Sequence, residues 1–270
     1  MLALALLCSP AMEPHQFFPL RHPLSDDTPL AATLHSLGTT LCARDRSTYA
    51  HSARLVPYAH KIGTILGLPP DRLRILRQGA FLHDIGKLLV HEQILTKPGF
   101  LSDSEWSVMR QHPASGHRIA TAWSVPESVT GIILTHHEWY DGSGYPLGLK
   151  GRRISLEARI CALVDVLDAL TSIRPYRRPI SFAEAASAIQ AERGTHFDPL
   201  VVDAFLTVPV DVWAGLRHAA VSASPAAGDK PFDRFDKPNA KVVRSAGAHP
   251  PHCSDPGPHH MPCSAARLCF

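Results

Sequence analysis

Apolar residues recur at helical spacing along most of the chain. Leu30, Leu34, Leu37 and Leu41 follow one another three or four positions apart, which predicts a helix from about residue 29 to 42. Further helices are predicted over residues 49–66, 71–82, 105–111, 127–137, 155–171, 182–193, 198–206 and 210–216. The strict alternation that is typical of strands is almost absent. The pattern therefore predicts an all-α helical bundle.

Turn-forming and capping residues indicate where these helices begin and end. Thr48 is the predicted N-cap of the second helix, and Ser102 or Asp103 is expected to start the fourth. The dipeptide His112-Pro113 is expected to terminate that fourth helix. Residues 139–151 contain repeated Gly together with Pro, Asp and Ser, so we predict a Gly-rich loop there.

Composition divides the chain into three parts. Residues 1–27 carry several prolines without sustained periodicity and are expected to form a flexible leader. Residues 28–221 are expected to form the packed domain. Residues 222–270 are rich in Pro, His and Ser and poor in large apolar side chains, so we predict a disordered tail.

Overall composition argues against several classes of function. The 270 residues are 45% hydrophobic and 19% charged, and the net charge of +3 does not by itself indicate a nucleic-acid partner. The six cysteines show no C-x-x-C spacing, and no apolar run approaches the ~20 residues of a membrane helix. We therefore expect a cytoplasmic protein that binds neither a nucleic-acid polymer nor a membrane.

The dipeptide His83-Asp84 is the centre of the candidate chemistry. It follows the apolar run of residues 75–82 and precedes Gly86 and Lys87. Because neighbouring helical residues point about 100° apart, one stretch of backbone presents both an imidazole and a carboxylate to a small volume. A carboxylate has two oxygens and is able to bridge two cations, whereas a neutral histidine supplies one nitrogen to one cation.

Histidine is unusually frequent, with 17 residues, and it is the commonest metal ligand. The candidate ligands are His51, His83, Asp84, His112, His136, His137 and Asp165. Successive groups are separated by about one helix and one connection. A helical bundle assembles an interior metal site from ligands that are distributed over its helices in this way.

Several short motifs occur in a fixed order along the chain. They are Thr48-x-x-His51-Ser52-x-Arg54, His83-Asp84-Ile85-Gly86-Lys87, His112-Pro113, His136-His137-Glu138, Asp141-Gly142-x-Gly144-Tyr145-Pro146, Asp165-x-x-Asp168-Ala169-Leu170-Thr171-Ser172 and Arg174-Pro175-Tyr176-Arg177. This series resembles the HD-GYP family, the bacterial cyclic di-GMP phosphodiesterase branch of the HD superfamily. The resemblance runs from about residue 30 to 206, and residues 194–199 match the closing segment of the family.

The resemblance implies a role for each motif residue. It implies a first metal held by His51, His83, Asp84 and Asp165, and a second metal held by Asp84, His112, His136 and His137. Lys87 is then expected to point at the phosphate, and Asp84 to act in catalysis as the bridging ligand. Tyr145, Arg174 and Arg177 are expected to contact the cyclic dinucleotide. The implied reaction is in-line attack of a metal-bridged hydroxide on phosphorus, which opens cyclic di-GMP to pGpG and leaves GMP open as a further product.

Three further expectations complete this assignment. Some members of the family carry a Glu one helical turn before the first histidine, where this chain has Ser47, so we expect two metals rather than three. A nitrogen-rich set with a bridging carboxylate favours iron or manganese. Asp168 lies three residues after Asp165 and is expected either to orient a ligand or a water, or to cap a neighbouring helix.

Other functions are weighed beside the phosphodiesterase. One is a catalytically silent module that senses the cyclic dinucleotide or docks another protein. Another is an HD phosphohydrolase that acts on a different nucleotide. The loop of residues 142–146 and the segment that contains Arg174 and Arg177 argue against it. A homodimer or a signalling-protein partner is a further expectation.

Overall fold

The computed structural model describes residues 29–173 and 178–222. The helices in this part of the chain are α1 (Pro29–Arg44), α2 (Arg46–Ile65), α3 (Pro70–Leu82), α4 (Glu92–Leu95), α5 (Asp103–Met109), α6 (His112–Ala122), α7 (Glu127–Thr135), α8 (Leu156–Thr171), α9 (Phe182–Ala191), α10 (Pro199–Leu206) and α11 (Val210–Ser222). Two short 3-10 helices cover Ile85–Leu89 and Gly151–Arg153. The same residues contain no strand apart from one isolated bridge, so the predicted all-α fold is confirmed. The predicted leader (1–27) and the predicted tail beyond residue 222 lie outside the described residues.

Several predicted helix boundaries differ from the structure by two or three residues, and α11 ends at Ser222 rather than at residue 216. Helix α2 begins at Arg46 rather than after Thr48, because the Asp45 side chain accepts hydrogen bonds from the backbone N–H groups of Ser47 and Thr48. An aspartate is at least as good an N-cap as a threonine, and it occurs three residues earlier. Helix α5 is capped by Ser102 in a reciprocal capping box with Glu105, as one of the two predicted alternatives has it.

The prediction missed helix α6 (His112–Ala122). Pro113 was expected to end a helix, but it lies in the first turn of a new one. Proline is favoured in a first helical turn, because its missing N–H would have no intrahelical partner there. This helix packs closely on the first 3-10 helix at Gly86, where an added Cβ would come within 1.9 Å of the His112 carbonyl oxygen. A larger residue at position 86 would therefore push His112 away from Asp84.

Helix α8 (Leu156–Thr171) is the central element of the core. Every residue from Ile160 to Thr171 is buried, including Asp165 and Asp168. One apolar cluster surrounds α8 and includes residues from α2, α9, α10 and α11. A second cluster joins α1, α2, α3, α6 and α7. Since α2 and α3 contribute to both clusters, the helices that carry His51 and His83 are fixed from two sides.

No single helix among the described residues is long and apolar enough to cross a membrane, although α10 and the first eleven residues of α11 pass that test together as a pair bent by 90°.

Candidate metal centre

All seven predicted ligands are buried and come together in the interior of the bundle. His51 comes from α2 and Asp165 from α8, whereas the other ligands lie at helix ends. His83 caps the end of α3 and is followed by Asp84, His112 begins α6, and His136 and His137 follow α7. Their relative exposures are 7% for His51, 0% for His83, 2% for Asp84, 1% for His112, 0% for His136, 6% for His137 and 3% for Asp165.

The first group consists of His51, His83, Asp84 and Asp165. His51 Nε2 lies 3.0 Å from Asp165 Oδ1 and 3.9 Å from Asp84 Oδ2. His83 Nε2 lies 3.3 Å from Asp84 Oδ2 and 4.0 Å from Asp165 Oδ1. Two imidazole nitrogens and two carboxylate oxygens therefore face one another in a volume that suits a single cation.

The second group consists of His112, His136 and His137. The Nε2 atoms of His112 and His136 are 3.2 Å apart, and one ligand atom from each of the three side chains lies within 4.8 Å of the others. His112 Nε2 also lies 3.3 Å from Asp84 Oδ1. Asp84 therefore presents Oδ2 to the first group and Oδ1 to the second, and its carboxylate lies between them.

Backbone carbonyls fix the tautomers of three of these histidines. The Nδ1 atoms of His83, His112 and His136 lie 2.9, 2.9 and 2.8 Å from carbonyl oxygens of the residues three positions earlier. A carbonyl oxygen only accepts hydrogen bonds, so Nδ1 carries the proton and Nε2 keeps its lone pair.

This arrangement of lone pairs tests whether a metal fits. The lone pairs of His112 and His136 face each other across 3.2 Å, which is repulsive unless a cation lies between them. His83 Nε2 is buried without a hydrogen-bond partner among the described residues. A divalent ion would accept the lone pairs that these nitrogens direct into the centre. The two clusters are thus able to bind metal ions.

Burial and charge set the protonation states of these groups. Burial lowers the pKa of His112 to about 4 although the Asp84 carboxylate opposes it, and burial lowers the pKa of His136 and His137 far below its usual value. These three rings are neutral at pH 7, as metal ligands must be. Burial raises the pKa of Asp84, but neighbouring groups, among them the Lys87 ammonium that donates to Oδ2, outweigh it, and the net pKa lies well below the usual range.

Asp168 orients His51. The carboxylate is fully buried, and its Oδ2 atom accepts a hydrogen bond from His51 Nδ1 at 2.7 Å. Arg54 donates to both carboxylate oxygens at 2.8 Å. Of the two roles predicted for Asp168, the structure therefore shows the orientation of a ligand. The carboxylate makes Nδ1 the protonated nitrogen of His51, so that Nε2 faces Asp165.

Lys87 lies at the edge of the centre. Its ammonium donates a hydrogen bond to Asp84 Oδ2 at 2.8 Å, three residues back along the chain. The side chain is 11% exposed, so it lies mostly within the protein. A contact between Lys87 and a phosphate stays a prediction.

The predicted Gly-rich loop packs against the second group. The ring of Tyr145 is stacked on His137 with centroids 4.9 Å apart, and the Arg110 guanidinium carbon lies 4.5 Å from the centre of the same ring. Gly144 allows this approach, because an added Cβ would come within 2.2 Å of the Trp139 nitrogen. The sequence analysis did not identify Arg110, which belongs to none of the motifs and meets Tyr145 only in the folded chain.

The closing segment, residues 194–199, holds that loop in place. Its His196 carbonyl accepts a hydrogen bond from the Tyr140 N–H at 3.0 Å, and the His196 ring is stacked between Trp139 and Phe197. Sequence reasoning matched this segment to the family without giving it a task. Its task in the structure is to position the loop.

Three residues named in the sequence analysis remain. Arg174 and Arg177 lie outside the described residues. Ser47 is an exposed residue of α2, and its backbone N–H is bound to the capping Asp45.

The fold and the buried histidine–aspartate set define a class of protein. The sequence profile of the family described as "HD domain" matches residues 35–201, which is more than half of the chain. The chain therefore belongs to the HD domain family. All seven candidate ligands lie within the matched residues.

Sequence relatives specify the branch of that family. The chain is 42% identical over 176 residues to the cyclic di-GMP phosphodiesterase response regulator RpfG of Xanthomonas campestris, covering 64% of this chain and 47% of that protein. It is 39% identical over 171 residues to a cyclic di-GMP phosphodiesterase of Thermotoga maritima, covering 63% of this chain and 46% of that protein. The chain thus spans about half the length of these relatives. They confirm the resemblance to the HD-GYP family.

Two solved structures share the fold. An HDG"Y"P protein from Bdellovibrio bacteriovorus has a TM-score of 0.50 at 20% identity, covering 61% of this chain and 52% of that one. A cyclic GMP-AMP specific phosphodiesterase from Vibrio cholerae has a TM-score of 0.52 at 21% identity, covering 72% of this chain and 53% of that one.

Proposed function

We propose that this chain is a metal-dependent phosphodiesterase that hydrolyses cyclic di-GMP to the linear dinucleotide pGpG. The observation that carries the proposal is the position of Asp84, whose two carboxylate oxygens face two separate groups of buried histidines. The names of the relatives from Xanthomonas and Thermotoga support the substrate. Further hydrolysis of pGpG to GMP is left open as a second step.

The proposed cofactors are two divalent ions, either iron or manganese. The first group would hold one ion and the second group the other, with Asp84 shared between them. The nitrogen-rich donors suit these metals better than magnesium or calcium, which prefer oxygen ligands. When bound, such ions lower the pKa of a coordinated water and neutralise charge on an attacked phosphate.

The protein groups around the ions have separate proposed tasks. Asp168 keeps His51 in the orientation that presents Nε2 to the centre. Lys87, beside Asp84, would place a positive charge near the phosphate oxygens. Tyr145, stacked on His137, would lie against the bound dinucleotide. Arg174 and Arg177 are proposed to bind its phosphates or guanine edges through their planar guanidinium groups.

A second substrate is favoured by a specific observation. The chain is 34% identical over 175 residues to a protein of Vibrio cholerae named 3'3'-cGAMP-specific phosphodiesterase 2, covering 64% of this chain and 34% of that protein. Cyclic GMP-AMP has the same phosphodiester ring as cyclic di-GMP and differs in one base. The same centre would serve both substrates, with the groups that contact the bases deciding between them.

Two alternatives from other classes remain. A silent sensor would bind the dinucleotide without cleaving it, but none of the seven ligands is replaced in this chain. A mononucleotide phosphohydrolase would not require the loop that places Tyr145 on His137. A cytoplasmic location and a homodimeric or signalling partner also stay predictions.

Turnover by the purified chain tests the proposal. The protein is loaded with Mn²⁺ or, without oxygen, with Fe²⁺ and is then incubated with cyclic di-GMP, 3'3'-cGAMP and a cyclic mononucleotide. We expect linear products from the cyclic dinucleotides, with cyclic di-GMP cleaved fastest, together with two metal ions per chain. Saturable binding of cyclic di-GMP without any product would favour the sensor. Faster cleavage of the cyclic mononucleotide would favour the other phosphohydrolase.

A further inference from the structure

Arg217 connects the last described helix to the interior of the site. It lies on α11, beyond the residues 35–201 that the HD domain profile matches. Its guanidinium donates to Asp168 Oδ1 at 3.0 Å, to Thr171 Oγ1 at 2.8 Å and to Ser172 Oγ at 3.0 Å. It also donates to the Thr171 carbonyl and, at 3.3 Å, to the Tyr58 hydroxyl. One side chain thus ties together α2, α8 and α11.

Asp168 links Arg217 to His51, which is a proposed metal ligand. Arg54 and Arg217 hold the Asp168 carboxylate from two sides, and the same carboxylate accepts the hydrogen bond from His51 Nδ1. Asp168 is fully buried, so its carboxylate depends on protein donors for its hydrogen bonds. Removing Arg217 would leave Asp168 with one guanidinium and would release one constraint on the orientation of its carboxylate.

We propose that Arg217 is a positioning residue for His51, acting through Asp168, and that α11 is therefore a functional part of the metal centre. This inference rests on the metal centre of the proposed function. Groups that orient a metal-binding histidine typically contribute about ten- to a hundredfold to metal affinity. Arg217 acts one contact further away, so about three- to tenfold is expected for its removal.

A purely structural role for Arg217 would have a different signature. Helix α11 is already docked by apolar contacts, because Trp213 is buried and packs on Tyr58 and Phe205. If Arg217 only strengthened this docking and capped the end of α8, its loss would lower stability without changing metal affinity. The position of Asp168 predicts instead a selective effect on the ion of the first group.

Arg159 provides a matched control. It lies on α8, the helix that also carries Asp168, and its side chain is 12% exposed. Its guanidinium makes the same kind of contact as that of Arg217, to the buried carboxylate of Asp198. Asp198 caps α10 by accepting from the Leu200 N–H, so its contacts join α8 to α10 and not to a predicted ligand. Arg159→Ala should therefore destabilise the fold without a selective effect on metal binding.

The test is a Mn²⁺ titration of the full-length apoprotein without substrate, with free Mn²⁺ followed by electron paramagnetic resonance. We expect two sites in the wild type. Arg217→Ala should weaken one site about three- to tenfold and leave the other within twofold, whereas Arg159→Ala should leave both unchanged. Arg217→Lys, which keeps the charge but not the fork of donors, should give an intermediate loss and serves if the alanine variant does not fold.

A double-mutant cycle tests the path through Asp168. In an Asp168→Asn background, Arg217→Ala should have no more than a twofold further effect on the weakened site, because the two residues act in series. Unchanged Mn²⁺ affinities in Arg217→Ala, equal losses at both sites, or full additivity with Asp168→Asn would each overturn the inference. A wild-type chain that binds no Mn²⁺ would contradict the metal centre itself, and this result is distinguishable from the others.

Discussion

The two groups of ligands differ in how their histidines are oriented. In the second group, His112 and His136 donate to backbone carbonyls three residues earlier, so their orientation depends on local helix geometry. In the first group, His83 is held in the same way, but His51 depends on the Asp168 side chain, which lies 117 positions away in the chain. A local contact forms with the helix end, whereas the contact of His51 exists only when the bundle is assembled.

The groups also differ in charge. The first group contains two carboxylates, those of Asp84 and Asp165. The second group has only neutral histidines and shares the Asp84 carboxylate. A divalent ion gains more from two anionic ligands than from one. We therefore expect the first group to bind its ion more tightly and the second group to depend on Asp84.

Asp84→Ala should have the largest effect, because one carboxylate serves both groups. We expect the loss of both ions and turnover at background level, as measured by elemental analysis and by cleavage of cyclic di-GMP. Asp203→Ala is a matched control, since this exposed carboxylate pairs with Arg193 on the surface. Two ions and full turnover in Asp84→Ala would show that the groups do not share this ligand.

Asp165→Ala and His137→Ala should separate the two groups. Each variant removes a ligand that belongs to one group only, so we expect one retained ion per chain instead of two. Asp165→Ala should lose the tighter ion, and His137→Ala the weaker one. Metal titrations would show this as the disappearance of a different binding step in each variant. The loss of the same step in both variants would contradict the division into two groups.

Asp168→Asn should weaken metal binding without abolishing it. The amide keeps the size of the side chain but removes the charge that orients His51. The affinity of the first group should fall by about ten- to a hundredfold, and that of the second group should change by less than about twofold. Equal losses in both groups would indicate that Asp168 supports the fold as a whole.

His196→Phe should change the pH dependence of stability but not metal binding. Burial lowers the pKa of His196 to about 4 from an ordinary value of about 6.5, so the unfolded chain takes up this proton first as the pH falls. The neutral His196 ring makes its full contribution to the unfolding free energy above pH 6.5, and this contribution is lost progressively between pH 6.5 and pH 4. Removing this group should flatten the decline of the unfolding free energy by about 3 kcal/mol over that range. Denaturant unfolding of the apoprotein at several pH values measures this change in the unfolding free energy. A pH dependence equal to that of the wild type would contradict a neutral, buried His196 ring.

Sequence reasoning identified the seven candidate ligands because each lies in a local motif, five of them at helix ends and the other two, His51 and Asp165, within α2 and α8. Helix spacing was enough to place His83, His112 and Asp165 on separate elements facing one interior. The start of α6 was missed because Pro113 both ends helices and begins them, and only the packing of Gly86 against His112 distinguishes the two cases. A choice between two capping residues likewise moved the N-cap of α2 from Thr48 to Asp45.

The supporting contacts were not predictable because they join distant parts of the chain. Sequence spacing placed Asp168 on the face of Asp165 but did not decide which group it would meet. Arg217 and Arg110 belong to no motif, and their contacts with Asp168 and Tyr145 arise from packing between helices and a loop. Local patterns thus indicate which residues are candidate ligands, and tertiary contacts specify how these side chains are held.

The most direct test of the shared carboxylate is electron paramagnetic resonance of the wild-type chain loaded with two Mn²⁺ ions. Ions bridged by one carboxylate lie about 3.5–4 Å apart and are magnetically coupled. We predict a coupled two-ion spectrum that Asp84→Ala abolishes, in a sample that also cleaves cyclic di-GMP. Two independent single-ion spectra at full occupancy would contradict the bridging role of Asp84.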